Sequence, residues 1–188
     1  MPLIKRDDKT TKQKSLRILN IGCGSDTYGT DFVDLYPTRP EVIKYDIEKQ
    51  RLPYKSNTFN KIVALGILQS ITNLSNFFKE CRRTLKKGGT IEILAANAGF
   101  WGPFGSSFYG KYDRISAEDG RDDDKAYLLF TITTLRNLLV KYGFRNVKCS
   151  YELASRNKKN NSYHLILIRL ATLFTPRFYP HIKATATK

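Results

Sequence analysis

The stretch Ile18-Leu19-Asn20-Ile21-Gly22-Cys23-Gly24-Ser25 decides the fold. Its first half is an apolar β-type run, and its second half breaks into two glycines one residue apart. Neither Gly22 nor Gly24 carries a Cβ, so the backbone there can turn sharply and lie close against a ligand. A second apolar run follows, Phe32-Val33-Asp34-Leu35-Tyr36, with an acid inside it. A carboxylate just after a second strand is placed to accept hydrogen bonds from ribose hydroxyls. Strand, glycine turn, strand and acid together read as the nucleoside-binding edge of an α/β sheet.

The spacing narrows the nucleoside. A dinucleotide fingerprint needs G-x-G-x-x-G and an acid about 20 residues further on. Here Thr27 stands where the third glycine is due, and Asp34 follows Gly24 by only 10 residues. No Gly-Lys-Ser/Thr follows, so the loop is not a phosphate-cradling P-loop. A ligand without phosphates suits it better.

Outward from this edge, the link between the first two strands is about ten residues, too short for the usual crossover helix of a parallel pair. Glu41-Val42-Ile43-Lys44-Tyr45-Asp46 predicts a third strand ending in another acid, and Asn57 to Leu65 a turn and a fourth strand. From Asn73 the period becomes helical: Leu74, Phe77, Phe78, Cys81 and Leu85 form one apolar stripe, with Gly88-Gly89 as the expected stop. Thr90 to Ala95 predicts the fifth strand. An aromatic, glycine-rich insert spans 97–120, and a helix is expected over Thr133 to Tyr142. Two closing strands are expected near Asn146 to Glu152 and Tyr163 to Arg169. Residues 1–14 read as a flexible basic arm, and 171–188 as an irregular tail because Pro176 and Pro180 argue against regular structure.

These segments resemble, in order, the S-adenosylmethionine-dependent methyltransferases with a Rossmann-like fold, in their short form. Leu19-Asn20-Ile21-Gly22-Cys23-Gly24-Ser25, followed soon by Val33-Asp34, is similar to that family's motif I. The passage from Asp46 through Leu52-Pro53-Tyr54 to Phe59-Asn60-Lys61-Ile62 resembles "D-x-x-x-x-L-P-F-x-x-x-S-F-D-x-I", with Asn60 in place of the usual Asp. Phe77 to Gly89 resembles "F-x-x-E-x-x-R-V-L-K-P-G-G", with Lys87 for the proline, and Phe130 to Leu139 resembles "F-T-x-x-x-L-x-x-L-L". The resemblance covers about residues 16–170. It implies a single-domain α/β fold over 15–170, with a seven-stranded, mostly parallel sheet and an antiparallel last hairpin.

It also implies S-adenosylmethionine as cofactor. Ile21, Gly22, Cys23 and Gly24 would offer backbone to its methionine and ribose, and Asp34 would accept from the ribose. Asp46 and Ile47 would sit at the adenine edge, and Leu65 and Gly66 beneath the reactive methyl. Catalytic residues are less legible. Gln69-Ser70 stands where many relatives carry Glu-His, so no general base is evident there. Tyr109, Tyr112 and Asp113, on the insert, are the candidates to polarise an acceptor hydroxyl or amine. No metal site is expected.

Composition bounds the rest. The chain has 188 residues, enough for one compact α/β domain. Three scattered cysteines rule out a disulfide framework and fit a reducing, cytoplasmic setting. The late apolar run Leu165 to Phe174 is short and carries Arg169, so it predicts no membrane span. The net charge of +15 makes nucleic acid a candidate acceptor or partner, since such a field attracts phosphate backbones. A small-molecule methyltransferase, and an inactive cofactor-binding or nucleic-acid-binding protein, are the alternatives.

Overall fold

A computed structural model describes residues 16–100, 128–152 and 179–188. Seven strands form one sheet in the order β3-β2-β1-β4-β5-β7-β6: β1 Ile18–Ile21, β2 Asp31–Asp34, β3 Val42–Lys44, β4 Phe59–Leu65, β5 Leu85–Ala96, β6 Arg145–Glu152 and β7 His181–Thr187. Strands β1 to β5 run parallel, and β7 is antiparallel to both β5 and β6. Two helices are described, α1 Leu74–Thr84 and α2 Ile132–Lys141. Five parallel strands that close on an antiparallel pair, with helices ahead of β5 and β6, give the Rossmann-like sheet expected from the sequence.

One face of the sheet carries the core. Leu19, Ile21, Val33, Ile62, Ala64, Ile91, Ile93, Ile182 and Ala184 are buried in the same cluster as Phe77, Phe78 and Cys81 of α1 and Leu135 and Leu139 of α2. The other face is largely polar in its middle. Lys61 of β4 meets Glu92 of β5 at 2.5 Å, and Lys183 of β7 bridges Glu92 at 3.7 Å and Glu152 of β6 at 3.8 Å. This charged ladder runs across four neighbouring strands, where successive side chains of each strand alternate between the faces.

The links β1 to β2 and β2 to β3, residues 22–30 and 35–41, contain no helix. Side chains hold this part of the sheet together instead. Arg17 spans to Asp31 with two hydrogen bonds, at 2.6 and 3.0 Å, and its guanidinium lies 5.2 Å from the Phe59 ring centre. Burial pushes the Asp31 carboxyl up, but the Arg17 and Thr30 hydrogen bonds outweigh it and hold the group below the usual carboxylate range.

Three expectations are corrected. Helix α1 does not run on to Gly88-Gly89: the Thr84 hydroxyl bonds back to Glu80 O at 2.8 Å, and Leu85 turns extended to open β5. Leu85 stays in the core, so its place in the apolar stripe reflected burial and not helix. Gly88-Gly89 lies inside β5, beside the register shift against β4, where a Cβ on Gly89 would fall 3.0 Å from Lys86 O.

The region 171–188 is also not irregular throughout. Residues 181–187 form β7, an interior strand whose Ile182, Ala184 and Ala186 face the core. Pro180 stands just before the strand, where it costs no ladder N–H, and its carbonyl accepts from Asn97 N at 3.0 Å. The partner of β6 in the closing pair is therefore β7. The strand expected near Tyr163 to Arg169, the arm 1–14 and most of the insert 97–120 lie outside the described residues.

Candidate active site

Ligands of open α/β sheets bind beyond the carboxyl ends of the parallel strands. Here β1, β2 and β4 end together around a cavity of about 640 Å³. Its lining includes Ile21, Gly22, Gly24, Val33, Asp34, Asp46, Ile47 and Gly66. Of the nine cofactor-binding residues expected from the sequence, seven line this cavity. Cys23 and Leu65 are not in its wall. The Cys23 side chain is buried, and that burial pushes its thiol up to about 11.

Gly22 leaves β1 at φ 65°, a conformation that L side chains rarely adopt. A Cβ there would also fall 2.3 Å from Ile67 Cδ1, on the opposite wall. The turn therefore needs glycine twice over, for its backbone and for the space.

The glycine loop is pinned from the β2–β3 side. Asp34 Oδ2 accepts from Gly24 N at 2.8 Å, and its Oδ1 accepts from Tyr36 N at 2.9 Å. The Thr38 hydroxyl donates to Gly24 O at 2.8 Å, and Arg39 donates to the carbonyls of Ser25 and Asp26 at 2.9 and 3.0 Å. Where a longer chain would follow the glycines with a helix, this one ties the loop down with an acid, a hydroxyl and a guanidinium. Each Asp34 oxygen spends one lone pair on the loop and keeps another for a ligand.

Asp46 sits on the far wall. Its Oδ1 accepts from Glu48 N at 3.0 Å, and its carboxylate pairs with exposed Lys49 at 3.3 Å. Glu48, which the sequence reading passed over, also lines the cavity. Its carboxylate takes donors from Thr72 N, the Thr72 hydroxyl and Asn73 N, which ties the third-strand loop to the start of α1. Burial works to raise its pKa, but those donors prevail and hold it below the usual range. Leu35, Tyr36, Thr38, Ser70 and Ile71 were missed as lining too. Thr38 and Ile71 come from links without a motif, whereas Leu35 and Tyr36 are simply the next residues after Asp34.

Gly66 follows β4 at φ 79°, and its carbonyl accepts the Gln69 amide at 2.5 Å. That amide anchors the short 3-10 turn Leu68–Ser70 against the strand end. Tyr109, Tyr112 and Asp113 lie outside the described residues. Among the described residues no cluster of three or more His, Cys, Asp or Glu could hold a metal ion.

The lining of the cavity fits an adenosyl amino acid. A glycine-walled turn offers room for close backbone approach, one carboxylate faces it from β2, and apolar Ile47, Ile67 and Ile71 can flank a base. A seven-stranded sheet of this order with such a cavity defines an S-adenosylmethionine-dependent methyltransferase of the Rossmann-like class. Residues 4–149 match the methyltransferase-domain family, and the chain belongs to it.

Solved structures share the fold. A SAM-dependent methyltransferase from Archaeoglobus fulgidus is 17% identical, with a TM-score of 0.64 over 94% of this chain and 87% of that one. A possible histamine N-methyltransferase from Thermotoga maritima is 17% identical, with a TM-score of 0.65 over 93% and 82%. Phosphoethanolamine N-methyltransferase 2 of Haemonchus contortus, solved with S-adenosyl-L-methionine, is 16% identical, with a TM-score of 0.57 over 93% of this chain and 49% of that one. Among curated proteins, a 58-residue stretch is 34% identical to the polyketide synthase-like protein Preu9 of Preussia isomera. That stretch covers 30% of this chain and 3% of Preu9.

Proposed function

We propose that the cavity at the ends of β1, β2 and β4 binds S-adenosylmethionine and that the methyl acceptor is a small molecule. The juxtaposition of Gly22, Asp34, Asp46 and Gly66 around one cavity carries the first part. Gly22 and Gly24 receive the methionine end, Asp34 accepts from the ribose, Asp46 and Ile47 flank the adenine, and Gly66 lies below the transferred group. When bound, the sulfonium supplies an electrophilic methyl carbon, so the protein contributes position and electrostatics. Asp34, Asp46 and Glu48 are each engaged by backbone N–H groups, which suits them to orient a ligand. The acidic character of the walls supports a neutral or cationic acceptor over a polyanion.

The amine-directed activities named for the Thermotoga and Haemonchus neighbours support the same reading. Nucleic acid as acceptor is the second reading, favoured by the +15 net charge. The three free cysteines support a reducing cytoplasmic setting. Among the described residues no helix is long and apolar enough to cross a membrane. A transfer assay with methyl-labelled donor over amines, other metabolites, RNA, DNA and protein tests the acceptor. Label in a small amine supports the proposal; label confined to RNA or DNA refutes it.

A further inference from the structure

The carboxylates Asp34, Asp46 and Glu48 stand at the cavity end together with Lys49, and Glu152 finishes β6 at that same end, opposite His181. The other end gathers cations. Arg82 closes α1, Lys87 opens β5, Lys141 closes α2, Arg145 and Lys148 begin β6, and Lys188 follows β7.

These cations converge in space. Arg82 Nε donates to Gly143 O at 3.4 Å, which brings the end of α1 to the end of α2. Gly88 N donates to Lys188 O and Lys188 N to Gly89 O, so Lys188 lies beside the Lys86-Lys87 turn. Arg145 is paired in register with Thr187, the residue before it. The Lys188 ammonium is lowered first by burial and then by repulsion from Arg82, Lys87 and Arg83. Among the described residues no carboxylate forms an ion pair with Arg82, Lys87, Lys141, Arg145, Lys148 or Lys188.

Capping of helix carbonyls explains part of this. Arg82 and Lys141 stand in last turns, where cations are favoured, and the Lys188 ammonium bonds the Arg83 and Leu85 carbonyls. Lys87, Arg145 and Lys148 have no such role, and all three side chains are exposed. Six like charges with no counter-charge among the described residues repel one another, so the surface gains when an anionic partner covers it.

We propose that this basic end, opposite the cofactor cavity, is a docking surface for the sugar–phosphate backbone of nucleic acid. It anchors the enzyme without presenting the nucleic acid to the methyl group. An anionic membrane fits less well. Val140 is the one exposed large apolar side chain on α1, α2, β6 or β7, and interfacial binding needs an apolar face to insert. Exposed Asn137 and Asn146 instead intersperse the cations with the polar groups that commonly contact phosphate and sugar. The proposal does not rest on the identity of the methyl acceptor.

The test is fluorescence anisotropy of the full chain on a labelled 20-nucleotide RNA and a DNA duplex, across a salt series. Wild type is compared with Lys87→Glu/Arg145→Glu and with the equal-charge control Lys44→Glu/Lys79→Glu, whose sites are exposed elsewhere. Lys87→Glu/Arg145→Glu should weaken binding at least tenfold and reduce the log–log salt slope by about 1.4 to 1.8, since each of the two lost phosphate contacts removes roughly 0.7–0.9. The control should change affinity less than threefold. S-adenosylhomocysteine binding, measured on the same samples, should be unchanged in all three, which separates this proposal from the cofactor reading. If the reversed variant does not fold, Lys87→Gln/Arg145→Gln takes its place, with half the slope change or more still required. Absence of binding by wild type, equal loss in the control, or binding to phosphatidylserine vesicles without binding to RNA or DNA each overturns the proposal.

Discussion

Replacing Asp34 by asparagine keeps the shape of the side chain and removes the charge that joins the glycine loop to β2. In the native chain each carboxylate oxygen takes one backbone donor, Gly24 N at 2.8 Å and Tyr36 N at 2.9 Å. Asparagine has one acceptor oxygen, so its NH2 must face one of these donors or turn away from it. A hydrogen bond to a charged group contributes about 1.5–3 kcal/mol, and both donors border an open cavity where water can partly replace the lost partner. The expected stability loss is therefore about 1–2 kcal/mol, a fall in Tm of about 2–8 °C for a chain of this size. The same substitution removes a charged acceptor for the ribose. Affinity for S-adenosylhomocysteine should fall by about 1–3 kcal/mol, or roughly 5- to 150-fold in Kd. Thermal melts report the first effect and titration calorimetry the second. Asp34→Ala, which leaves both N–H groups without the side chain, should be worse on both. An asparagine variant with native Tm and a Kd within twofold of wild type would refute the role given to Asp34.

Other outcomes follow from single contacts. Gly22→Ala should cost at least about 1–3 kcal/mol for a side chain at φ 65°, and more from the approach to Ile67. Chemical denaturation measures that loss, and a Gly22→Ala protein as stable as wild type would show the turn is misplaced. Glu80 is buried beside Arg83, whose guanidinium lies 2.6 Å away, and it accepts from Leu52 N at 2.8 Å. Burial works to raise its carboxyl, but Arg83 and Leu52 N outweigh it and hold the group below its ordinary value. A depressed folded value means this contribution is fully present above the ordinary glutamate range, near pH 4.3, and is lost as pH falls through the folded value. Glu80→Gln should accordingly be less stable by about 1–3 kcal/mol at pH 7 and show a flatter acid limb as pH falls below the ordinary glutamate range, about 4.3. An acid limb as steep as that of wild type would contradict this.

The strand-forming runs and the glycine edge were legible because burial and turn geometry are local signals. Val33 faces the core and Asp34 the cavity loop, and among the described glycines Gly22 is the one where an added Cβ would come under 3.0 Å from a neighbour. Strand β7 was not legible because its buried positions are mostly small. Ala184 and Ala186 alternate with Lys183 and Thr185, a true period of two with little hydrophobic weight, and Pro180 beside it pointed the other way. The end of α1 was misread because Leu85 continues the helical stripe and yet enters the core as the first residue of a strand. At the site, acids that follow a strand were readable, but Glu48, Thr38 and Arg39 act through loop-to-loop bonds that no spacing reveals. Asn60, noted as a departure from the family pattern, has a structural use: its Oδ1 accepts from Arg17 N and from the Lys86 ammonium, at 3.1 and 2.9 Å.

The central claim is that the cavity bounded by Gly22, Asp34, Asp46 and Gly66 holds the methyl donor. Titration calorimetry of the full chain with S-adenosylhomocysteine, with NAD as the control ligand, tests it most directly. One S-adenosylhomocysteine site per chain is expected, weakened by Asp34→Asn, and no binding of NAD, because the loop lacks the third glycine of a dinucleotide fold. No heat with either S-adenosylmethionine or S-adenosylhomocysteine, together with an unshifted Tm in their presence, would contradict it.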